Sequence, residues 1–328
     1  MVLGKDAKRI LVTGGAGFIG SHLVEGLLQR GVKVSVLDNF STGKMSNLIG
    51  LGDGQWQPEK DFDVIEGDVR DLGRVSQAVS GVHAILHQAA LGSVPRSVAD
   101  PATSQQVNAD GTLNVFLSAR DHHVLRVVYA SSSSVYGDSL RLPKREGEEG
   151  LPLSPYALTK QVNEQYGRLF GDLYGLETIG LRYFNVYGPR QDPESEYAAV
   201  IPRFIGALLS GHAPVVYGTG EQSRDFTYVK DVVRANLIAL EAPSSACGKS
   251  YNIGRGDKVT LLKLLQTLQE ILNTNISPKF EPPRSGDVMH SSADVELALT
   301  TLDFTAQHDL RSGLEQSIDW YRKNLSQQ

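Results

Sequence analysis

The sequence predicts an α/β fold: a doubly wound parallel sheet with a smaller α/β part towards the C-terminal end. Three observations predict it. Short apolar, β-rich runs alternate with amphipathic helical stretches through the first half of the chain. The runs end at glycine or polar turns. Near residue 188 the rhythm breaks, and proline, glycine and mixed charge dominate until about residue 228. Alternation of this kind places strands parallel and covers both faces of one sheet with helices.

Taken in order, "RILVTG", "VKVSVLD", "DVIEGDV", "HAILHQAA", "VLRVVYASS" and "LETIGLRYFNV" read as strands. "GSHLVEGLLQRG" and "DGTLNVFLSARDH" read as helices between them. "GLGDGQW", residues 50–56, is a Gly-rich loop, and His122–His123 is a helix end. After the irregular stretch, the helix-like "VKDVVRANLIALEA" and the strand-like "KSYNIG" return to the first style. A helix "TLLKLLQTLQEIL", a Pro-rich turn "EPPRSGD" and a final helix close the chain. The expected division is residues 1–182 plus about 229–254 for the sheet domain, and about 183–228 plus 255–328 for the smaller one. The chain then crosses between the two more than once.

Composition sets outer limits. The 328 residues suit about two domains, with 41% hydrophobic residues for the cores. A net charge of −5 gives no basic footprint for nucleic acid. One cysteine, Cys247, cannot form an internal disulfide. No apolar run approaches the ~18 residues of a membrane span, and the start has no leader-like segment. The expectation is a cytoplasmic chain with no membrane or nucleic-acid partner. The eight histidines show no ligand spacing, so no metal is expected.

The first strand runs into "TGGAGFIGSHL", with Gly14, Gly17 and Gly20 spaced by three between a strand and a helix. Glycine lets the backbone turn tightly and approach a pyrophosphate. The helix start at Phe18 and Ile19 then offers free N–H groups and a positive dipole end. A glycine triplet alone is equally a structural turn. Here the second strand ends in Asp38, 18 residues after Gly20, where a carboxylate can grip the adenosine ribose. The pair points to a Rossmann-type dinucleotide site. Asp38 repels a 2′-phosphate and Asn39 supplies no arginine to welcome one, so NAD is favoured over NADP, with Lys44 the nearby cation that weighs the other way.

"SPYALTK" places Tyr156 and Lys160 four apart, on one helix face. Such a pair is usually an exposed helix surface. This one follows the serine-ended strand "VVYASSSS" by some 25 residues, inside a dinucleotide-binding unit. Tyrosine titrates near 10, so work as a base near neutrality needs help of roughly 4 kcal/mol. A lysine ammonium and a positive nicotinamide ring can supply it by favouring phenolate.

Together "TGGAGFIG", "SSSSVYG", "YALTK" and "LRYFNVYGPRQ" resemble the extended short-chain dehydrogenase/reductase family, in its nucleotide-sugar branch, over nearly the whole chain. The resemblance implies that Ser132, four residues before Tyr136, completes a catalytic set with Tyr156 and Lys160. Ser132 would bond the reacting sugar oxygen, Tyr156 would move its proton, and Lys160 would hold the ribose and tune Tyr156. Ser131 and Ser133 are packing or secondary contacts, Ser133 on the substrate side. Related dehydratases carry an Asp-Glu pair after the catalytic serine, and related decarboxylases a glutamate before V-Y-G. This chain has Ser133 and Ser134 there. Elimination lacks its proton handlers, and hydride removal and return remain, as in the 4-epimerases.

The same resemblance implies the other contacts. Asp68 and Val69 fall beside the adenine, Ala89, Ala90 and Leu91 along the cofactor, and Tyr183 near the nicotinamide. Asn108 starts the following helix, where a cap is the alternative. Arg224 in "SRDFTYV" and Arg284 in "PPRSGD" match diphosphate-binding arginines, with Asn185 near the diphosphate and Tyr217 by the uracil. Phe184 is equally a core residue. Gly92, Gln191, Ala199 and Val200 fall at the sugar pocket. Ser291, three before Asp294, stands where glucose-restricted relatives carry a bulky tyrosine, which leaves room for an N-acetyl group. The expected substrates are UDP-N-acetylglucosamine and UDP-N-acetylgalactosamine, with UDP-glucose and UDP-galactose as a second pair. A uronate sugar and a net oxidation that releases NADH stay open as alternatives. A homodimer packed through the Tyr156 helix and the "GTLNVFLSARDH" helix is implied as well.

Overall fold

The computed structural model describes residues 8–193, 198–283 and 289–325. Seven parallel strands make one sheet: β1 Arg9–Thr13, β2 Lys33–Asp38, β3 Asp63–Glu66, β4 Ala84–His87, β5 Arg126–Ser132, β6 Glu177–Tyr183 and β7 Lys249–Ile253. Their order is β3-β2-β1-β4-β5-β6-β7. The chain winds outward one way from β1 to β3 and the other way from β4 to β7. Between β1 and β4 the direction reverses, which opens a crevice at the strands' C-terminal ends.

The strands other than the edge strand β3 read as apolar runs because both faces are largely buried. Ile10 and Val12 of β1 enter one core and Leu11 the other; Val128 of β5 enters the first, Val127 and Tyr129 the second. The first core is closed by α1 (Phe18–Leu28), by a helix at Val229–Glu241 and by one at Glu296–Leu302. The second is closed by α2 (Leu72–Val79), α3 (Gly111–Asp121) and α4 (Pro155–Tyr174). Each fully buried Leu, Ile or Phe contributes roughly 1.5–3 kcal/mol.

Helix α4 is punctuated at both ends. Ser154 accepts the Ala157 N–H at 3.1 Å, Pro155 occupies the first turn, and Gly175 ends the helix at φ 69°. The predicted strand "LETIGLRYFNV" is shorter than its apolar run. It leaves the sheet after Tyr183, turns at Asn185 (φ 29°), and pairs Val186–Tyr187 with Thr227–Tyr228 in a separate ladder. Phe184 is fully buried, so it is a core residue.

A third core holds the rest of the chain around Tyr187, Phe204, Leu264 and Tyr321. It includes α5 (Val200–Leu209), which the irregular reading of residues 188–228 missed. Its signal was present: Ile201, Phe204, Ile205 and Leu208 are buried at helical spacing. Further helices include α6 (Val229–Glu241), α7 (Leu261–Leu272), α8 (Glu296–Leu302) and α9 (Leu310–Leu325). The 50–56 stretch is a turn with left-handed Gly50, Gly52 and Asp53, as its glycines suggest. No helix among the described residues is long and apolar enough to cross a membrane.

Candidate active site

The crevice at the switch point is a cleft of about 310 Å³. Of the residues expected at a cofactor, all but Asp68 and Asn108 line it. The turn at its base requires glycine. A Cβ on Gly14, which has φ 66°, would lie 2.7 Å from the Ala89 nitrogen, and one on Gly20 would lie 2.0 Å from the Gly14 oxygen. The close packing draws the start of α1 against β1 and β4. No side chain caps that helix start, so its N–H groups are left for an anion in the cleft. Asp38 is buried at the cleft wall and accepts the N–H of Ala16 and of Phe40, each at 2.9 Å. Burial pushes its carboxyl up, and these N–H groups pull it back towards the ionised form. The donor-lined turn and the oriented carboxylate fit a dinucleotide. Among the described residues no cluster could hold a metal.

Two expected contacts are placed differently. Asp68 is occupied by Arg70 (2.8 Å) and Asn39 (2.7 Å), and the Arg70 hydrogen bond holds its carboxyl down at about 2. Asn108 neither starts nor caps a helix. It lies in a π-helical turn at Gln106–Asp110, fully buried, and its side-chain amide bonds both the N–H (2.7 Å) and the C=O (3.1 Å) of Leu91. It fixes the cleft wall from behind.

Ser132 ends β5 and caps the short turn that follows. Its oxygen accepts the Ser134 N–H at 3.2 Å and the Ser134 hydroxyl at 2.9 Å, which leaves its own proton to point away from that turn. Tyr156 is half-buried. Burial raises its phenol, and a hydrogen bond with Ser132 opposes the rise. Lys160 is buried, and burial brings its ammonium down to about 8 against the pull of Glu164. Its Nζ donates to the Ala130 carbonyl at 2.8 Å and stands 5.8 Å from the Tyr156 ring centre. The lysine has two further donors for the cleft. Tyr183 lines the cleft with its hydroxyl fixed by Gln88 (3.1 Å) and Asn236 (2.8 Å).

Behind the cleft runs a hydrogen-bond chain that sequence reasoning missed. The Thr112 hydroxyl donates to the Asn108 carbonyl at 2.6 Å, so it accepts from His87 Nε2–H at 2.9 Å. His87 Nδ1 is then an acceptor for the Thr13 hydroxyl at 2.7 Å, and Thr13 accepts the Ala89 N–H at 3.3 Å. One neutral histidine therefore ties β1, β4 and α3 together. Burial, helped by the Lys160 charge, pushes it down to about 3. Only the lone polar residue in the run "AILH" hinted at it.

The expected substrate residues fall at two further clefts. Asn185, Val200, Tyr217 and Arg224 line one of about 170 Å³, where Arg203 stacks over the Tyr217 ring at 5.8 Å. Gly92, Gln191 and Ala199 line a wider one of about 820 Å³ that shares Gly17 and Phe18 with the cofactor cleft. Lys44, Arg96 and Arg190 also line it, and Lys44 pairs with Asp192 at 2.6 Å. Ser291 donates its N–H to the Ser223 carbonyl at 3.1 Å, beside Arg224, and neither it nor Ser132 or Ser133 lines these clefts. Arg284 lies outside the described residues.

The model of the NAD dependent epimerase/dehydratase family matches residues 10–254. The chain belongs to this family. It is 36% identical to a UDP-glucose 4-epimerase of Mycolicibacterium smegmatis over 97% of its own length and all of that protein's. A solved UDP-N-acetylglucosamine 4-epimerase from Methanobrevibacter ruminantium, in complex with UDP-N-acetylmuramic acid, shares 39% identity at a TM-score of 0.90, over 98% and 99% of the two chains. MoeE5, solved with UDP-glucuronic acid and NAD, shares 34% at a TM-score of 0.85, over 96% and 99%. The family member described here is an NAD-dependent epimerase, an isomerase of UDP-sugars.

Proposed function

We propose that this epimerase interconverts UDP-N-acetylglucosamine and UDP-N-acetylgalactosamine at C4, with UDP-glucose and UDP-galactose as a second pair, for surface-polysaccharide assembly in the cytoplasm. The observation that carries the choice of sugar is Ser291, a small side chain on the segment hydrogen-bonded beside Arg224. Likeness to a UDP-N-acetylglucosamine 4-epimerase at 39% identity supports it.

In this reading residues 1–182 and about 229–254 hold the cofactor, and about 183–228 and 255–328 hold the sugar nucleotide. Arg224 and Arg284 grip the diphosphate, because a planar guanidinium bonds two phosphate oxygens at once. Tyr217 and Asn185 complete the handle site, and Gly92, Gln191, Ala199 and Val200 border the sugar. Ser132 bonds the sugar O4 and Tyr156 takes its proton. NAD, when bound in the cofactor cleft, would supply the hydride acceptor and donor for C4. The 4-keto sugar turns about its diphosphate link between the two transfers, and Tyr156 gives the proton back on the opposite configuration. Binding energy comes mostly from the handle that does not react. Leu158, Leu169 and Leu173 lie exposed along α4 and give the homodimer its face; sedimentation at micromolar concentration checks it.

A second reading, a uronate sugar, would bring its C6 carboxylate to the wide cleft lined by Arg96, by Lys44, which pairs with Asp192, and by Arg190, which pairs with Glu25. The deciding experiment incubates purified protein with UDP-N-acetylglucosamine, UDP-glucose, UDP-glucuronate and UDP-N-acetylglucosaminuronate, and separates the products by NMR. The C4 epimer of the first, with no net NADH, is the expected result. Conversion of only a uronate moves the assignment to the second reading. Accumulating NADH overturns epimerisation.

A further inference from the structure

We propose that Glu164 is a positioning residue for the reaction: its carboxylate fastens the helix that carries Tyr156 and Lys160 to the two strands that carry Ser132 and Tyr183. The proposal rests on reading Ser132, Tyr156 and Lys160 as the catalytic set.

Glu164 follows Lys160 by one helical turn on α4. It accepts the Ser131 hydroxyl and the Arg182 Nε–H (2.8 Å) on one oxygen, and the Arg182 Nη2–H (2.7 Å) on the other. The side chains of Glu164 and Arg182 are only 11% and 6% exposed. Ser131 and Arg182 stand opposite each other across β5 and β6, and the next pair along is Ser132 and Tyr183. Arg182 is therefore one residue from Tyr183 at the cleft, and Ser131, itself at the cleft, is one residue from Ser132. Arg182 continues the network to Glu149 and to the Tyr136 hydroxyl (2.9 Å), which donates to Asn252 on β7 (2.6 Å). A buried ion pair gives little net stability, because desolvation offsets the attraction. Fixing a helix against two strands is a use that justifies it, since a shift of about 1 Å at reacting groups costs on the order of 100-fold in rate.

Glu164 also sets the charge around Lys160. The groups around the ammonium are Tyr156 and Glu164 from α4, neutral His87 from β4 and the Ala130 carbonyl from β5, and Arg182 of β6 pairs with Glu164. Burial lowers Lys160 and Glu164 opposes that. Without the carboxylate the lysine loses its proton at lower pH.

The test is Glu164→Gln, purified with its cofactor and assayed on whichever UDP-sugar of the panel above it turns over. The expected result is a kcat lower by roughly 10- to 100-fold with KM within about 3-fold. The alkaline limb of kcat also moves down by about one pH unit. The Lys160 signal of ¹³Cε-lysine-labelled protein, assigned with Lys160→Met, moves with it. Because Gln leaves the Arg182 charge with Glu149 alone, Glu164→Gln/Arg182→Met is made alongside. It removes that charge and keeps the lowered limb and Lys160 signal. An unmoved limb and signal in the folded variants, while Tyr156→Phe is inactive, overturns the role of Glu164 alone. An active Tyr156→Phe overturns the catalytic reading beneath it.

Discussion

The cofactor cleft and the cleft around Tyr217 and Arg224 are held in different ways. Around the first, polar side chains answer to partners on other elements: His87 to Thr13 and Thr112, Asn108 to the Leu91 backbone, Tyr183 to Gln88 and Asn236. Around the second, the supports are backbone atoms of short strands and turns. Asn185 donates to the Asp225 carbonyl at 3.1 Å, and Gln222 holds the Tyr217 carbonyl. Buried Asp225 accepts the N–H groups of Arg255, Gly256 and Ala293, which gathers the loops beside Arg224. The first cleft is thus held mostly through side chains of the sheet and its helices, and the second mostly through the backbone of loops and short strands. In the proposed function the first cleft holds the cofactor and the second the sugar nucleotide.

Substitutions can break this contrast. The largest effect is expected at Gly20→Ala, whose methyl would meet the Gly14 oxygen at 2.0 Å. Backbone cannot yield there, so the variant should purify without NAD and lose about 4 kcal/mol or more, read by cofactor absorbance and urea unfolding. Tyr156→Phe should lower turnover by about 10²–10⁴-fold while NAD stays bound; near-normal turnover would falsify its role as base.

Acid should loosen the cofactor side. His22, which bonds the Pro189 carbonyl at 2.9 Å, is pushed down to about 4 by burial, and His87 to about 3. Both lie below the ordinary 6.5, so their contribution is complete above pH 6.5. As pH falls below it, the unfolded chain takes up protons that the folded one refuses. Roughly 3 kcal/mol per histidine should be lost by pH about 4, visible as a falling urea midpoint. His87→Gln should flatten that fall.

Smaller effects belong to the handle side. Arg224→Met should raise KM for the UDP-sugar by roughly 10- to 100-fold with kcat little changed, as expected when binding is lost equally from ground and transition states. A collapse of kcat instead would place Arg224 at the chemistry. Ser291→Tyr should spare UDP-galactose and exclude UDP-N-acetylgalactosamine in a paired substrate assay. Equal loss of both would remove Ser291 from the sugar pocket.

Much of the sheet was legible because a strand buried on both faces writes itself as an apolar run, and the seven runs are the seven strands. The glycine turn, Asp38 and the Tyr156–Lys160 pair were legible for a similar reason. Their geometry is local, set by a turn, a strand end or one helical repeat. Helix α5 could have been read from its spacing and was hidden by the polar stretch before it. Asn108 was misplaced because the helical run begins earlier, at Pro101, and passes through the π-helical turn into α3, so Asn108 lies inside it.

The sequence by itself thus determined the fold, the cofactor turn and the spacing of Tyr156 and Lys160, all of which depend on neighbours a few residues apart. Tertiary structure decided what each polar group answers to. Lys44 meets Asp192 across 148 residues, His22 meets Pro189 across 167, and Glu164 joins Ser131 and Arg182 from two different strands. A buried charge or amide must be satisfied by whatever the folded chain brings beside it, and no local pattern records that choice.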